Sequence, residues 1–355
     1  MTDESLERTR QRCTVSTKLW GRSFAGLTCM TYRDRGAAAL HKLWFDVLCG
    51  HQVGHYHEGL RLLGIENDPP AVAAAKYHYL TNAIGGLAME YVEESPKKVW
   101  IRYLAPMWTY NGIALLALPG QVRRTIFSAW HPRNGKLMGC PRLGYVGTKF
   151  IMEGEPYDEG YFLEYDRDLA PEEIMRYETV QRTPEFDPAK APKLDPKAWP
   201  EARLLKAQRN FSGGYVKTTV DVLNATYGVW VTNFILGETM RCLAIQYVHE
   251  FQNVLGITGR DVGSIARLFA ALLDACYQDF SVERVDDRRE RIVLRGFRPF
   301  DDDAPEGLRA ACFQFQAMAT RVLNGRVRAT RRLEGEGAAK PTEIWEFEDT
   351  GRWLY

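Results

Sequence analysis

The chain has 355 residues, 45% of them hydrophobic and 26% charged, which is typical of folded globular proteins and is enough for two domains. Its 46 Lys and Arg residues are balanced by 45 Asp and Glu residues, so no basic field favours nucleic acid. Because the N-terminus lacks signal-peptide character, no apolar run approaches the ~18 residues that span a bilayer, and the seven cysteines lack C-x-x-C spacing, we expect a cytoplasmic protein with no membrane partner.

The first half of the chain predicts a series of helices and antiparallel hairpins. An apolar helical period over 37–63 ends at Gly64, and Asp68 with the two prolines after it suits the start of a second helix. Alternation of apolar and polar residues predicts the strands that follow. The further predicted elements are strands over 89–93 and 99–103, a helix over 121–130, and a hairpin of 145–153 with 160–165.

The second half repeats this order after a proline-rich segment. Residues 167–214 contain six prolines among charged residues, which predicts an extended linker with one short helix over 172–177. A segment of this length without a core should lie across the surface of one module, either as a strap or as a lid over a pocket. The predicted elements after it are a helix over 232–255, a helix from near Asp261, strands over 280–285 and 291–296, a helix over 305–324, and a hairpin of 326–334 with 342–347.

A repeated motif links the two halves. The stretch HEGLRLLGI at 57–65 is echoed by HEFQNVLGI at 249–257, with His, Glu, Leu, Gly and Ile at the same positions. We therefore predict an α+β fold in which two tandem repeats of a module of helices and antiparallel hairpins form an intrachain pseudo-dimer. The predicted parts are a functional module at 1–166, the linker at 167–214 and a degenerate module at 215–355. The exposed helix faces are compatible with a homodimer.

Several short motifs in the first half carry a family resemblance. They are Gly64-Ile65, the helix Tyr77-His78-Tyr79-x-x-Asn82, Gly85-Gly86, and the hairpin Gly154-Glu155-Pro156-Tyr157-x-Glu159. With the order of the elements, they resemble the L-2-amino-thiazoline-4-carboxylic acid hydrolase family and, more distantly, the ligand-binding modules of the 4-vinyl reductase type. The resemblance implies a pocket for a small organic molecule and hydrolysis of a carbon-nitrogen or carbon-sulfur bond in a ring. Family members tend to place cysteines where this chain has 105–107 and 157–158, so a thiol-dependent role is not carried over.

The densest set of potential metal ligands lies late in the first predicted helix. At 3.6 residues per turn, His51, His55 and Glu58 fall within about 60° of one another. Two imidazoles and a carboxylate suit one divalent Zn, Fe or Mn ion, which would activate a water for hydrolysis. The alternative is a polar helix end with solvated histidines. Glycine-rich phosphate-binding motifs are absent from the sequence, so no nucleotide cofactor is expected.

Differences between the two halves single out further residues. His78 lies between two tyrosines, whereas the second half has small apolar residues near 270–271 at that point. A neutral His there could act as a general base, or it could be a satisfied core residue. We therefore predict catalytic roles for His78, His55 and Glu58. The predicted substrate-binding residues are Trp108, Trp130, His131, Arg102 and Asn82, with a cross-strand ion pair to Glu90 as the alternative role of Arg102.

These observations support three hypotheses of different classes. The first is a small-molecule hydrolase or lyase acting on a cyclic or aromatic organic acid, with the site in the first module. The second is a non-catalytic ligand-binding or sensory protein of the 4-vinyl reductase type, with an apolar pocket. The third is a structural pseudo-dimer without a pocket. The first is favoured because ionisable groups are missing from one half only.

Overall fold

The computed structural model describes residues 3–107, 118–180, 182–296, 298–300, 304–335 and 341–355. It shows an α+β fold with two separate sheets, as the sequence predicted, and their strands are antiparallel except for one short edge strand. Among the described residues, no helix combines the length and the hydropathy needed to cross a membrane.

The chain divides into two compact units. The central unit is Arg35–Gln208, and the terminal unit combines Met1–Asp34 with Arg209–Tyr355. This division differs from the predicted boundaries, because the first 34 residues group with the C-terminal part of the chain rather than with the module that follows them. The first helix, α1, is also longer than predicted and covers Asp3–Leu63 with non-helical torsion angles at Gly36.

The central unit contains the second part of α1 and a five-stranded sheet of order β1-β2-β4-β3-β5. Helix α2 packs on β1, β2 and β4, and its Ala-rich buried face allows close approach to the sheet. The elements after α1 are α2 (Pro70–Ile84), β1 (Met89–Ser95), β2 (Lys98–Leu104), α3 (Val122–Trp130), α4 (Arg133–Leu137), β3 (Leu143–Lys149), β4 (Tyr157–Glu164) and β5 (Met175–Tyr177).

The other face of this sheet is covered by residues of the predicted linker. Val180 packs against the cluster of Trp100, Val146 and Tyr161, and the carbonyl of Pro184 accepts a hydrogen bond from Arg102. The predicted short helix over 172–177 is wrong. A 3₁₀ turn at Pro171–Glu173 is followed by β5, which pairs in parallel with β3. The extended form is favoured because the edge of β3 offers backbone hydrogen-bond partners that a helical segment could not use.

The terminal unit contains the first part of α1 and a four-stranded sheet of order β6-β7-β9-β8. Helix α5 begins inside the predicted linker; its residues 201–208 belong to the central unit and the rest to the terminal unit. The helix predicted over 305–324 is two helices. The elements are α5 (Glu201–Leu255), α6 (Val262–Ala275), β6 (Asp279–Asp286), β7 (Arg289–Arg295), α7 (Glu306–Cys312), α8 (Gln314–Leu323), β8 (Val327–Glu334) and β9 (Thr342–Asp349).

The repeated Leu-Gly-Ile motif forms the same helix end in both units. Gly64 and Gly256 both have φ of 68°, a left-handed conformation that favours glycine. The amide of Ile65 donates to the carbonyl of Leu60 at 3.0 Å, and that of Ile257 donates to Gln252 at 2.9 Å. The echo in the sequence therefore reflects a helix stop in each unit.

The hairpin charges agree with the predicted pairing in one unit only. Glu90 faces Arg102 in the β1–β2 register, and their side chains form an ion pair at 2.7 Å. In the terminal unit, Glu283 faces Arg291 in the β6–β7 register, and their side chains form an ion pair at 3.1 Å, whereas a matching pair with Arg295, the counterpart of Arg102 in the other half of the sequence, is not formed.

Candidate functional site in the central unit

Three of the residues singled out in the sequence meet inside the central unit. The ring of His78 lies 4.6 Å from the ring of Trp130, edge to face, and 4.5 Å from the ring of His131, stacked. Both histidines are buried, with exposures of 0% and 2%. His78 thus meets residues that lie more than 50 positions further along the sequence. We call this aromatic group the imidazole cluster: His78, Trp130, His131 and Tyr145.

Two helices position the histidines against the sheet. His78 belongs to the buried face of α2, together with alanines that let the helix approach the strands closely. His131 caps the C-terminus of α3, where its amide donates to the carbonyl of Phe127 at 3.2 Å. The strands supply the remaining wall, because the ring of Tyr145 on β3 stacks on His131 at 4.2 Å and Phe162 on β4 stacks on His78 at 5.6 Å.

A chain of hydrogen bonds determines the tautomer of His78. The amide nitrogen of Gln52 donates to the backbone carbonyl of Trp130 at 3.0 Å, and it also donates to Oδ1 of Asn134 at 2.5 Å. Asn134 therefore presents its Nδ2 to Nε2 of His78, at 2.7 Å. Because Nε2 of His78 accepts this bond, the proton of the neutral ring is on Nδ1.

His131 is held from a different direction. Its Nε2 is 2.9 Å from the hydroxyl of Tyr103 on β2, and its ring stacks on Phe127 at 4.7 Å and on Tyr145 at 4.2 Å. These contacts leave the ring little freedom to rotate. The imidazole is consequently fixed by one hydrogen bond and by its aromatic neighbours.

Burial keeps both imidazoles neutral. It lowers the pKa of His78 from 6.5 to about 3, because a protonated ring cannot be solvated in the core. Burial also lowers the pKa of His131 well below its usual value, and a positive charge on His78 would lower it further. Neutral imidazoles can donate and accept hydrogen bonds, but with such low pKa values they are weak general bases at neutral pH.

Polar atoms in the cluster lack protein partners. Nδ1 of His78, Nε1 of Trp130, Nδ1 of His131 and the hydroxyl of Tyr145 are buried without a hydrogen-bond partner in the described part of the chain. Buried polar groups are nearly always satisfied in folded proteins, because an unmade hydrogen bond costs roughly 1–3 kcal/mol. Four such atoms on neighbouring rings therefore make the cluster a candidate place for a molecule with polar atoms.

Two buried ion pairs lie beside the cluster on β4. Arg123 of α3 pairs with Asp158, and Arg102 of β2 pairs with Glu159 at 2.6 Å. Every nitrogen of the Arg102 guanidinium is engaged, since the other two donate to Glu90 and to the carbonyl of Pro184. In this arrangement Arg102 has no free edge for a substrate carboxylate, and it serves as a cross-strand link.

The predicted metal ligands do not assemble into a metal site. The rings of His51 and His55 are 5.7 Å apart, but His55 and Glu58 are exposed whereas His51 is half-buried. Burial, followed by the charge of His55, lowers the pKa of His51 to about 4. In the described ranges, no three His, Cys, Asp or Glu side chains come together in a way that could hold a metal ion.

The remaining predicted residues have other positions. Asn82 is buried and donates to the backbone carbonyl of His78 at 2.7 Å, so it supports the helix rather than the ring. Trp108 lies outside the described residues. The sequence predictions did not include Gln52, Asn134 or Tyr103. One signal was available for Gln52, which corresponds to the small apolar Ala244 when the two Leu-Gly-Ile motifs are aligned.

Comparisons with protein-family models, with curated proteins and with solved structures find no match for this chain. The resemblance to the thiazoline carboxylic acid hydrolases therefore stays a prediction.

Proposed function

We propose that the central unit binds a small, planar, uncharged organic molecule at the imidazole cluster. The observation that carries the proposal is the set of four buried polar atoms without partners among the described residues, on His78, Trp130, His131 and Tyr145. They lie among stacked aromatic rings, which favour a flat ligand. Because Nδ1 of His78 and Nε1 of Trp130 are donors, the ligand should carry a hydrogen-bond acceptor such as a ring nitrogen or a carbonyl oxygen.

The electrostatics of the cluster favour a ligand without charge. Its imidazoles are neutral, and the neighbouring cation of Arg123 is already paired with Asp158. Burying a charge without an opposite partner is strongly unfavourable. An uncharged heterocycle fits these conditions better than the organic acid suggested by the sequence.

We further propose that the two units are diverged copies of one module. Helices α1 and α5 are each interrupted at a glycine of positive φ, Gly36 and Gly228, and each ends with the same Leu-Gly-Ile stop. A buried pair also recurs, since Arg309 binds Glu343 on the last strand of the terminal unit as Arg123 binds Asp158 on β4. This correspondence supports common ancestry of the units.

The correspondence also limits the proposed ligand site to one unit. The residue that matches His78 in the repeat is Ala270. Among the described rings that meet in the interior of the terminal unit are Phe24 with Tyr215, Phe251 with Phe315, Phe269 with Phe347, and Phe313 with Trp345. Among the described residues, only the central unit therefore has imidazoles in its aromatic core. This difference supports a ligand site in the central unit alone.

Hydrolase or lyase chemistry on the bound ring is the second candidate function. It is favoured by the stacked imidazoles of His78 and His131, 4.5 Å apart, which could relay a proton between them. The low pKa values of both rings make them weak bases, so binding is the better supported function.

Two tyrosines provide a matched test. Tyr145 and Tyr56 are both fully buried, and both hydroxyls lack a partner, but Tyr56 belongs to a separate core cluster with Leu60 and Tyr77. We expect Tyr145→Phe and Tyr56→Phe each to stabilise the free protein by about 1 kcal/mol, since each removes an unsatisfied hydroxyl. Only Tyr145→Phe should weaken ligand binding.

The measurement is a thermal-shift screen with uncharged planar heterocycles and their carboxylated analogues, followed by calorimetric titration of the hits. Mass spectrometry of the same mixtures detects any product and so tests the enzyme hypothesis. Binding that is equally strong in Tyr145→Phe and Tyr56→Phe, or hits that require the carboxylate, would overturn the proposed site.

A further inference from the structure

The terminal unit contains a cavity whose wall carries two arginines. Its volume is about 460 Å³, and its wall includes Trp20, Arg209, Gly213, Tyr277 and Arg298. This volume is within the ~300–1,000 Å³ range of small-molecule sites. A smaller crevice of about 40 Å³ shares Trp20 and Arg298 with it and is lined mostly by apolar side chains.

Two arginines at this cavity have no carboxylate partner among the described residues. The Nε and one terminal nitrogen of Arg209 lie 3.3 and 3.0 Å from Oδ1 of Asn210, while its other terminal nitrogen is buried without a partner. Burial lowers the pKa of Arg209, and the positive charge of Arg298 adds to the lowering. Two cations that approach each other without an anion are electrostatically unfavourable, and an anion between them would relieve this.

The position of Arg298 is fixed by a reciprocal pair of hydrogen bonds. The side chain of Gln278 donates to the carbonyl of Arg298 at 2.7 Å, and the amide of Arg298 lies 3.3 Å from Oε1 of Gln278. Gln278 itself lines the cavity. The second arginine is therefore held at the wall by its backbone while its side chain remains exposed.

Tyr277 has an unfavourable backbone conformation at the same cavity. Its φ is 53°, a left-handed value that bulky residues rarely adopt. It directly follows the C-cap residue of α6, and at the same place after α2 the central unit has Gly86, with φ of 78°. The tyrosine ring lies 3.4 Å from the guanidinium of Arg209 and 5.2 Å from that of Arg12. Backbone strain of this kind is typical of functional sites. Here the strained conformation places the ring of Tyr277 against the guanidinium of Arg209, in a cation–π contact.

We propose that this cavity binds a small organic acid, whose oxyanion is held between the guanidiniums of Arg209 and Arg298. The planar guanidinium matches a carboxylate or phosphate with two parallel hydrogen bonds. The apolar part of the acid lies against the indole of Trp20 and extends toward the apolar crevice, which favours an aryl or short-chain acid over an inorganic anion. The site is independent of the imidazole cluster, because it lies in the other unit.

Calorimetric titration of the full-length protein at low salt tests the site, with benzoate, octanoate and inorganic phosphate as probes. We expect the organic acids to bind at least about tenfold more tightly than phosphate, which corresponds to ~1.4 kcal/mol. Arg209→Gln and Arg298→Gln should each weaken benzoate binding about tenfold. The control Arg260→Gln changes an exposed arginine elsewhere in the terminal unit and should leave the affinity within about twofold.

A second variant separates binding from stability. Tyr277→Gly removes the strained side chain, so we expect the melting temperature to rise while benzoate binding weakens about tenfold. Equal affinity of the parent protein and Arg209→Gln for benzoate would overturn the proposal. The proposal would also be overturned if phosphate bound as tightly as either organic acid. The same holds if Tyr277→Gly raised the melting temperature but left the affinity for benzoate unchanged.

Discussion

Acid should destabilise this protein through the imidazole cluster, starting below the ordinary pKa of histidine. The folded protein keeps His78 neutral, with a pKa of about 3, whereas the unfolded chain protonates it near 6.5. Between these values the unfolded state binds more protons, so the free energy of unfolding increases with pH. The contribution is therefore complete above about pH 6.5 and is lost as the pH falls toward 3.

The two pKa values of His78 determine the size of the effect. Lowering the pH from 7 to 5 should cost ~2 kcal/mol through His78 alone, from the ratio of proton binding in the two states. His51, whose pKa is lowered to about 4, adds a similar ~2 kcal/mol in the same direction. The pKa of His131 is also lowered by burial, so its contribution has the same sign.

Urea unfolding at pH 7, 6 and 5, followed by tryptophan fluorescence, measures this dependence. His78→Gln should unfold more easily at pH 7, but it should lose ~2 kcal/mol less between pH 7 and pH 5 than the parent protein. His57→Gln is the control, because it removes an exposed histidine from the same helix as His51. A parent protein that is equally stable at pH 7 and 5, or a His78→Gln protein with the parent slope, would refute the reasoning.

Five further substitutions test the packing of the central unit. Gly160→Ala should lose about 3 kcal/mol of stability in thermal unfolding, since the new methyl would lie 2.5 Å from the carbonyl of Val146. Gly54→Ala meets nothing within 4 Å on its helix and should instead gain about 1 kcal/mol; equal effects would contradict the packing argument. Arg123→Met should lower the free energy of unfolding by roughly 3–5 kcal/mol, because it leaves the buried carboxylate of Asp158 without its cation. The double variant with Asp158→Leu should regain part of this stability in urea unfolding. Gln52→Leu should cost roughly 1–3 kcal/mol, with a shifted Nε2 resonance of His78 in nitrogen NMR as its specific signature.

The local elements could be predicted because their signals are short-range. Helix stops at Gly64 and Gly256, the N-cap at Asp261 and the strands around Glu90 and Arg102 depend on neighbours within a few residues. Elements that depend on distant partners were predicted poorly. The sequence predicts a helix where the structure has the edge strand β5. The extended form of β5 depends on backbone hydrogen bonds to the neighbouring β3, which local sequence does not reveal.

The candidate site was predicted only in part. His78, Trp130 and His131 were each picked from the sequence, but their convergence requires α2 and α3 to pack on the same sheet. The hydrogen bonds through Gln52 and Asn134 could not be inferred from spacing, since they join three separate segments. Helical spacing placed His51, His55 and Glu58 on one face, yet it could not indicate that His51 would be half-buried while the other two are exposed.

The amino-acid pattern alone determined that this is an α+β protein with a recurring helix-end motif, because periodicity and glycine conformations act within a few residues. Tertiary structure decided which residues share an environment. It grouped residues 1–34 with the C-terminal part of the chain, and it turned three dispersed side chains into one buried cluster. Burial also removed the charge from His78, since a protonated ring cannot be solvated in a core, and so it changed the chemistry that the sequence had suggested.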